Sequence, residues 1–450
     1  MKQTKKIFLF SCLLAILALG QISGCRDVSA AKKGKTAKKI TLNRSQLLIA
    51  KGKKYTLKIK KTSPKGASKK NVIYKSSNTK VVSVNKKGRL SARKKGTSKI
   101  TVKIRGSKAK AVCRVQVVPK LKQISLKKPN LTINKGDKID LKTIARSSYK
   151  MTYESDDKKV VKISSKGILQ AVGDGVAYVL IQIKNSTKEP VQLPVKVIRD
   201  QYDTPIDYAD YNPKIAHGET TEVSYYSSVT GSNRKCLVYT PPGYSKSKKY
   251  NVLYCMHGLN GDHKEWCGQN AKEILDNLYA RKKLADMIVV FPNGRAAKDD
   301  SIPRDSVYSE WVDVFNNFEN DLKQCLMPFI EKTYNVYTGR DHTALSGLSM
   351  GGMQTINIGF NNPELFNYLG IFSPSPDSNP ELIGDDKSLY PKVLWLSCGD
   401  SDDLIWGMDA YTDEVLTQKG APHIYYLMPG GHDWSVWRNG FYNFIQLIFK

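Results

Sequence analysis

An internal repeat with a period near 80 residues fills the segment 40–198. Its clearest element reads YKSSNTKVVSV at 74–84 in the first copy and YESDDKKVVKI at 153–163 in the second. Apolar and polar residues alternate along the runs, and Gly and Asn-Lys clusters separate them, which predicts short strands joined by turns. One repeat of this length makes one small domain. The pattern therefore predicts two all-β domains, at 40–118 and 119–198.

A different pattern begins near residue 219 and continues to the end of the chain. Short apolar runs such as Val252–Met256 alternate there with helical patterns such as Gly351–Asn361. Strand–helix alternation predicts a mostly parallel central sheet covered by helices. The intervening segment 199–218, rich in Asp, Tyr and Pro, is predicted to be a linker. The fold class is thus multidomain, with two β-sandwiches followed by an α/β domain at 219–450.

The α/β domain contains GLSMG at 347–351, followed by Gly352, between a predicted strand and a predicted helix. This is the strand–turn–helix setting that a G-x-S-x-G nucleophile elbow requires. Glycines are needed because a Cβ near the tight turn would collide with the strand or the helix. Ser349 is therefore the predicted nucleophile, beside a helix N-terminus that favours negative charge.

A serine nucleophile needs a base and a group that orients the base. His432, in the Gly-flanked loop GGHDW at 430–434, is the predicted base, whereas His423 opens a strand and is expected to pack or face solvent. The acid should follow the predicted strand 393–398. Asp400, Asp402 and Asp403 all lie there, and their spacing does not choose among them.

Two backbone N–H groups are expected to bind the oxyanion. Met350 follows the nucleophile, and Leu259 lies in the loop HGLNG at 257–261 after a buried strand. The six cysteines outside the N-terminal 25 residues lack the spacing of a zinc site. Two-step acyl transfer through a serine needs no metal or organic cofactor, so none is expected. Three tryptophans near the motifs are candidate substrate-binding residues, with packing in the core as the alternative: Trp266, Trp434 and Trp437.

The α/β domain resembles the esterase D / carbohydrate esterase family 1 group, and especially its feruloyl esterase branch. The matching motifs are VYTPPGY at 238–244, YNVLYCMHG at 250–258, FPNG at 291–294, FENDL at 318–322, PFIEKTY at 328–334, ALSGLSMGG at 344–352, CGDSDDLI at 398–405 and GGHDWSVW at 430–437. The resemblance implies an α/β-hydrolase fold and a serine carboxylic ester hydrolase. It also implies Asp402 as the acid, since in feruloyl esterases the acid is the Asp just before a small residue and Leu-Ile. Asp403 stands in the place of that small residue and is a departure from the pattern.

The resemblance implies a substrate class as well. Members of the family remove feruloyl, acetyl and related acyl groups from plant polysaccharides, so an acylated polysaccharide or oligosaccharide is the expected substrate. A general esterase of small esters is the first alternative. A surface adhesion protein with an inactive hydrolase scaffold is the second, although the complete set of Ser, His, acid and oxyanion loop argues against it.

The two repeats resemble the bacterial Ig-like group 2 domain. The shared motifs are SSNTKVVSV at 76–84 with KGRLSA at 87–92, and SDDKKVVKI at 155–163 with KGILQA at 166–171. The resemblance implies two small antiparallel sandwiches that act as spacers or adhesion units on a surface protein.

Positive charge is concentrated in the first repeat and the segment before it. The chain has a net charge of +32, and residues 28–118 contain 29 Lys and Arg but no Asp or Glu. Such a segment can dock electrostatically to anionic cell-envelope polymers, or it can be merely a solvated basic face. Nucleic acid is not expected as a partner, because no nucleic-acid-binding fold is recognisable and the chain is predicted to be exported.

The N-terminus has the features of an export signal. Three lysines among the first six residues precede an apolar run at 7–20 that is short for a membrane span. The following ISGC at 22–25 resembles a lipobox, in which Cys25 would be lipidated and would anchor the protein to the membrane. Cleavage after Ala30, giving free secretion, is the alternative.

The sequence therefore predicts an extracellular, cell-surface protein with six segments: a signal peptide with lipobox at 1–25, a basic linker at 26–39, Ig-like domains at 40–118 and 119–198, a linker at 199–218, and an α/β-hydrolase esterase domain at 219–450.

Overall fold

The computed structural model describes residues 35–299 and 308–450. Two compact units make up the chain: the first contains the first repeat, and the second contains the second repeat together with the α/β domain. The predicted signal peptide and Cys25 lie outside the described residues. No helix among the described residues is long and apolar enough to cross a membrane.

The first repeat forms strands only. They are Lys39–Leu42 (β1), Gln46–Ala50 (β2), Lys54–Thr56 (β3), Ile59–Ser63 (β4), Val72–Ser76 (β5), Val82–Val84 (β6), Arg89–Ala92 (β7), Gly96–Ile104 (β8) and Lys110–Val118 (β9). Four strands pair in the order β2-β9-β8-β5, three in the order β3-β7-β6, and β1 pairs with β4. Alternate residues of β8 and β9, such as Ile100 and Val115, are fully buried between the sheets. Strand β2 pairs with β9 in parallel. The prediction was an antiparallel sandwich, so this pair departs from it.

The second repeat has the same plan. Its strands are Ser125–Leu126 (β10), Leu131–Asn134 (β11), Lys138–Asp140 (β12), Ala145–Arg146 (β13), Met151–Ser155 (β14), Val161–Ile163 (β15), Ile168–Ala171 (β16), Gly175–Ile183 (β17) and Val191–Ile198 (β18). They pair in the orders β11-β18-β17-β14, β12-β16-β15 and β10-β13, and β11 again runs parallel to β18. The two copies of the sequence repeat thus form the same strand order.

The α/β domain is built on one sheet of eight strands. They are Glu219–Ser227 (β19), Ser232–Thr240 (β20), Asn251–Met256 (β21), Met287–Pro292 (β22), Thr343–Ser349 (β23), Tyr368–Pro374 (β24), Val393–Gly399 (β25) and Ile424–Met428 (β26). The order is β19-β20-β22-β21-β23-β24-β25-β26. The pairs β19–β20 and β20–β22 are antiparallel, and the other five are parallel.

Helices cover both faces of this sheet. They are Glu265–Gly268 (α1), Ala271–Ala280 (α2), Tyr308–Asn316 (α3), Phe318–Asp321 (α4), Met327–Thr333 (α5), Met350–Asn361 (α6), Met408–Lys419 (α7) and Trp434–Phe444 (α8). Successive residues of β21 alternate between two apolar clusters: Val252 and Tyr254 belong to one, and Leu253 and Cys255 to the other. Every residue of β21 is buried, as expected for a central parallel strand.

The segment 199–218 packs against the α/β domain and is not a free linker. The ring of Tyr202 lies edge-on to Trp395, with centroids 5.0 Å apart, and Tyr208 lies edge-on to Tyr442 at 5.4 Å. The side-chain amide of Asn277 donates to backbone carbonyls at Tyr208 and Asp210. Two of its three tyrosines, Tyr202 and Tyr208, are thus packing residues, whereas Tyr211 is 64% exposed. The predicted linker is therefore a segment that packs on the α/β domain.

Candidate active site

Ser349 occupies a strained turn between β23 and α6. Its φ of 53° and ψ of −115° lie outside the regions that residues with a side chain favour. A Cβ on Gly347 would lie 2.4 Å from the carbonyl oxygen of Gly351, and a Cβ on Gly351 would lie 2.6 Å from that of Met256. The two glycines are thus required where the helix approaches the sheet most closely.

His432 lies between Ser349 and Asp402. Its Nε2 is 3.0 Å from Ser349 Oγ, and its Nδ1 is 2.9 Å from Asp402 Oδ2. With the proton on Nδ1 the imidazole donates to Asp402, and Nε2 accepts from the serine hydroxyl. This arrangement can remove the Ser349 proton as the oxygen attacks a carbonyl carbon.

The structure distinguishes the three candidate aspartates. The side chain of Asp402 is fully buried beside His432, whereas Asp403 is exposed to solvent. Asp400 accepts hydrogen bonds from the Gly430 N–H and the Ser401 hydroxyl. Burial by itself would raise the pKa of Asp402, but the hydrogen bond to His432 and the charge of that imidazole hold this pKa below its usual value. Asp402 is therefore the carboxylate that faces His432.

The loops that carry the acid and the base touch at two glycines. A Cβ on Gly399, at the end of β25, would lie 2.3 Å from the carbonyl oxygen of Gly430. The Gly430 loop leads directly to His432. The Gly in CGDSDD thus permits the Asp402–His432 contact, a role that the sequence alone did not assign.

Leu259 and Met350, whose N–H groups are predicted to bind the oxyanion, both line the pocket beside Ser349. The N–H of the preceding Gly258 points elsewhere and donates to Glu265 Oε2 over 3.0 Å. The buried Arg295 donates to the carbonyl of Leu259 over 3.4 Å and also to that of Gly261. Glu265 and Arg295, which sequence reasoning missed, hold this loop from both sides.

His257 also braces the loop. Its Nδ1 is 2.6 Å from the carbonyl of Gly258, and its Nε2 accepts from the Gly294 N–H over 2.8 Å. Burial, followed by the positive charge of Arg295, lowers the pKa of His257 to about 4. The imidazole is therefore neutral in the folded protein and has a structural role.

This low pKa predicts that acid destabilises the α/β domain. An unfolded His has a pKa of about 6.5, so between about pH 6.5 and 4 the unfolded state binds a proton that the folded state does not. The free energy of unfolding should then fall by up to about 1.4 kcal/mol per pH unit from this residue alone. Urea unfolding followed by tryptophan fluorescence, which reports only residues after 219 because all six Trp lie there, should show a shallower pH slope for His257→Gln. Equal slopes in the two proteins would contradict the prediction.

The pocket beside Ser349 has a volume of about 360 Å³. Apolar side chains dominate its lining, including three that the sequence did not single out: Pro376, Leu404 and Ile405. Trp437 lines the pocket, and its ring lies edge-on to His432 with centroids 4.9 Å apart. The pocket is thus mainly apolar, with Ser349 and His432 in its lining.

The other two candidate tryptophans do not line the pocket. Trp266 is 1% exposed and packs in the core, where its Nε1 donates to the carbonyl of Met256 over 2.9 Å. Trp434 is half-buried and packs edge-on against Trp437. Trp266 therefore follows the alternative given for it, packing in the core, because its buried side chain lies against the end of β21. Trp434 has at most an indirect role, through Trp437.

Two family models match the chain. The putative esterase family matches residues 227–445, and the bacterial Ig-like domain (group 2) family matches residues 36–114. The endo-1,4-beta-xylanase/feruloyl esterase of Xylanibacter ruminicola is 32% identical over 260 residues, which are 54% of this chain and 33% of that protein. The endo-1,4-beta-xylanase Y of Acetivibrio thermocellus is 28% identical over 162 residues, which are 33% of this chain and 13% of that protein. The chain thus spans a third or less of the length of these curated relatives.

Among solved structures, a CE1 ferulic acid esterase of Anaeromyces mucronatus, in complex with ferulic acid, is 30% identical with a TM-score of 0.52. The match covers 56% of this chain and 98% of that one. Nearly the whole of that enzyme therefore aligns with just over half of this chain. With its α/β-hydrolase domain following a bacterial Ig-like domain, the chain belongs to carbohydrate esterase family 1, a family of carboxylic ester hydrolases.

Proposed function

We propose that the protein removes feruloyl or acetyl groups from plant polysaccharides through a covalent acyl-enzyme. The observation that carries this proposal is the hydrogen-bonded chain from Ser349 through His432 to Asp402, at the end of an apolar pocket. The likeness to a ferulic acid esterase over 98% of that enzyme's length supports the substrate class.

In the first step, Ser349 Oγ attacks the ester carbonyl carbon while His432 Nε2 takes the hydroxyl proton. The negative charge that develops on the carbonyl oxygen meets the N–H groups of Leu259 and Met350. The C–O bond to the alcohol then breaks, and His432 donates its proton to the leaving oxygen. Asp402 stabilises the imidazolium that exists between these two transfers.

In the second step, His432 takes a proton from water, and the resulting hydroxide attacks the acyl carbon. The Ser349 ester breaks, and Ser349 Oγ regains the proton from His432. A pocket of about 360 Å³ lies within the range of small-molecule sites. An aromatic acyl group would fill much of it, whereas acetyl would leave most of it empty, so the pocket volume favours the feruloyl ester.

The proposal is tested by comparing hydrolysis of methyl ferulate and p-nitrophenyl acetate by the full chain and its Ser349→Ala variant. Ferulate turnover that depends on Ser349 is the expected result. Turnover of the acetate alone would keep the mechanism but move the substrate to acetylated glycans or small esters. No Ser349-dependent turnover of either would contradict the enzyme proposal and favour a surface adhesion protein.

We also propose that the first sandwich docks to an anionic cell-envelope polymer. The register of β8 and β9 places Lys99 opposite Arg114, and Lys103 opposite Lys110, all exposed on one sheet face. Like charges directly opposite each other destabilise an antiparallel pair. None of the basic side chains of 35–118 forms an ion pair within the described residues. A polyanion would relieve this repulsion.

The second repeat shows that the fold does not itself need this charge. At the position matching Lys99 and Arg114, it pairs Tyr178 with Pro194. The basic face is therefore a property of the first sandwich alone, which supports a binding role for it.

Replacing Lys99, Lys103, Lys110 and Arg114 together by Gln should abolish salt-sensitive retention of the protein on purified anionic wall polymer. A matched control replaces four exposed lysines in turns outside that face: Lys86, Lys87, Lys94 and Lys95. The control should retain most of the binding at about 0.1 M salt, where the Debye length is about 10 Å. Equal losses in both variants would mean that net charge alone matters. Full retention by the face variant would contradict the docking proposal.

Export, the anchor and the second Ig-like assignment are further parts of the proposal. We propose that the chain is exported and lipidated at Cys25, as ISGC at 22–25 indicates, and that the second repeat is also an Ig-like group 2 domain. The identical strand order of the two repeats supports the latter. Release of the Cys25→Ser variant into the medium, with the wild type retained on membranes, is the expected result for the anchor. Release of both proteins would indicate free secretion.

A further inference from the structure

Two exposed apolar side chains belong to one turn, residues 402–406, that borders the pocket. Among the residues that the structure describes, Trp406 and Leu404 are the two most exposed large hydrophobic side chains, at 84% and 67%. Leu404 itself lines the pocket that contains Ser349 and His432. Two such side chains on a turn that borders the Ser349 pocket indicate contact with a ligand rather than a packing role.

Besides its exposed ring, Trp406 has an unfavourable backbone conformation. Its φ of 51° and ψ of 33° are left-handed, a conformation that bulky residues rarely adopt and that Gly or Asn adopts easily. The next residue, Gly407, is also left-handed, with a φ of 77°. A large aromatic residue is thus presented to solvent from a backbone conformation that does not favour it, and strain of this kind is concentrated at functional sites.

The turn that carries these side chains also carries the catalytic acid. The Leu404 N–H donates to Asp402 Oδ1 over 3.3 Å, while the other carboxylate oxygen contacts His432. Ile405, between the two exposed residues, is 1% exposed and anchors the turn in the domain. The backbone that carries Trp406 is therefore tied to the site at Asp402 and to the domain core at Ile405.

The reaction geometry indicates which part of the substrate reaches Leu404 and Trp406. If the acyl group enters the pocket and the ester carbonyl lies at Ser349, the alcohol part must leave across the pocket mouth. For a polysaccharide ester that part is a chain of sugar rings, whose C–H faces are apolar and whose hydroxyls stay in water. A tryptophan ring is flat, apolar on its face and polar at its N–H, so it matches a sugar ring in both respects.

We propose that Trp406, together with Leu404, forms a platform on which a sugar ring of the acylated polysaccharide packs, making Trp406 a residue that selects glycan esters over simple alkyl esters. This inference rests on the proposed function. It goes beyond that function by assigning the binding of the alcohol side, which the catalytic residues do not explain.

The test compares methyl ferulate with a feruloylated arabinoxylan oligosaccharide for the full chain and the Trp406→Asn variant. Asn tolerates the left-handed backbone, so the change removes the ring without straining the turn that holds Asp402. We expect KM for the oligosaccharide ester to rise about tenfold, with kcat and the methyl ferulate kinetics changed by less than about twofold. Trp406→Phe should restore most of the oligosaccharide affinity. Tyr226→Asn, which removes a 66% exposed ring from β19, is the matched control and should change neither substrate.

A calorimetric titration separates this inference from the proposed function. In the Ser349→Ala background, an unesterified xylo-oligosaccharide should bind, and Trp406→Asn should weaken that binding by about tenfold. This result would support the platform even if neither ferulate ester is a substrate. Absence of ferulate turnover would count only against the proposed acyl group. Equal KM increases for both esters, or unchanged oligosaccharide binding in Trp406→Asn, would overturn the platform.

Discussion

Replacing Ser349 by Ala is expected to lower kcat for ester hydrolysis by roughly 10⁴- to 10⁶-fold. The alanine has no oxygen to form the acyl-enzyme, so both steps of the proposed mechanism are lost. Residual hydrolysis would come only from the oxyanion-binding amides and from binding of the ester in the pocket. The measurement is the release of ferulate at saturating substrate, with circular dichroism to establish that the variant is folded.

A matched control is available in the same pocket. Ser375 also lines it, but its hydroxyl donates to Asp377 and not to His432. Ser375→Ala should therefore change kcat by only a few fold. If Ser349→Ala kept near-wild-type activity while Ser375→Ala lost it, the nucleophile would have been misassigned.

The sequence signals for Ser349 and His432 are local, and the structure brings these two side chains together. Ser349 sits within a five-residue motif whose glycines are dictated by contacts of under 3 Å, and His432 is one of only two histidines that follow it. The fold class was also predictable, since the hydrophobic pattern shows strands alternating with helices. The strand order, in which β22 precedes β21, was not predicted.

The parts that sequence could not provide depend on three-dimensional neighbours. Spacing did not choose among three aspartates, because burial and the position of the imidazole make the distinction. Proximity to a motif suggested Trp266 as a substrate-binding residue, but its side chain is buried against Met256 at the end of β21. The sequence contains no signal that distinguishes Trp406 from a core tryptophan. Its exposure and its backbone conformation, which only the structure gives, make that distinction.

The assignment of Asp402 as the acid predicts a second large loss of activity. Asp402→Asn is expected to lower kcat by about 10⁴-fold. The asparagine NH₂ can donate to His432 Nδ1, which shifts the imidazole proton to Nε2. With a proton already bound, Nε2 can no longer accept the proton of Ser349. The variant also lacks the negative charge that stabilises the imidazolium. Asp403→Asn and Asp400→Asn are the controls and should remain within about threefold of the wild type, because neither side chain contacts His432.

The same variant separates catalysis from glycan binding. Asn at 402 keeps an Oδ1 that can accept the Leu404 N–H, so the turn that presents Trp406 should persist. Oligosaccharide affinity should therefore be unchanged in Asp402→Asn while kcat collapses, the reverse of the pattern expected for Trp406→Asn. If affinity and kcat fell together in Asp402→Asn, its main role would be to hold the turn. A large loss of kcat in Asp403→Asn, with Asp402→Asn active, would instead assign the acid to the exposed neighbour.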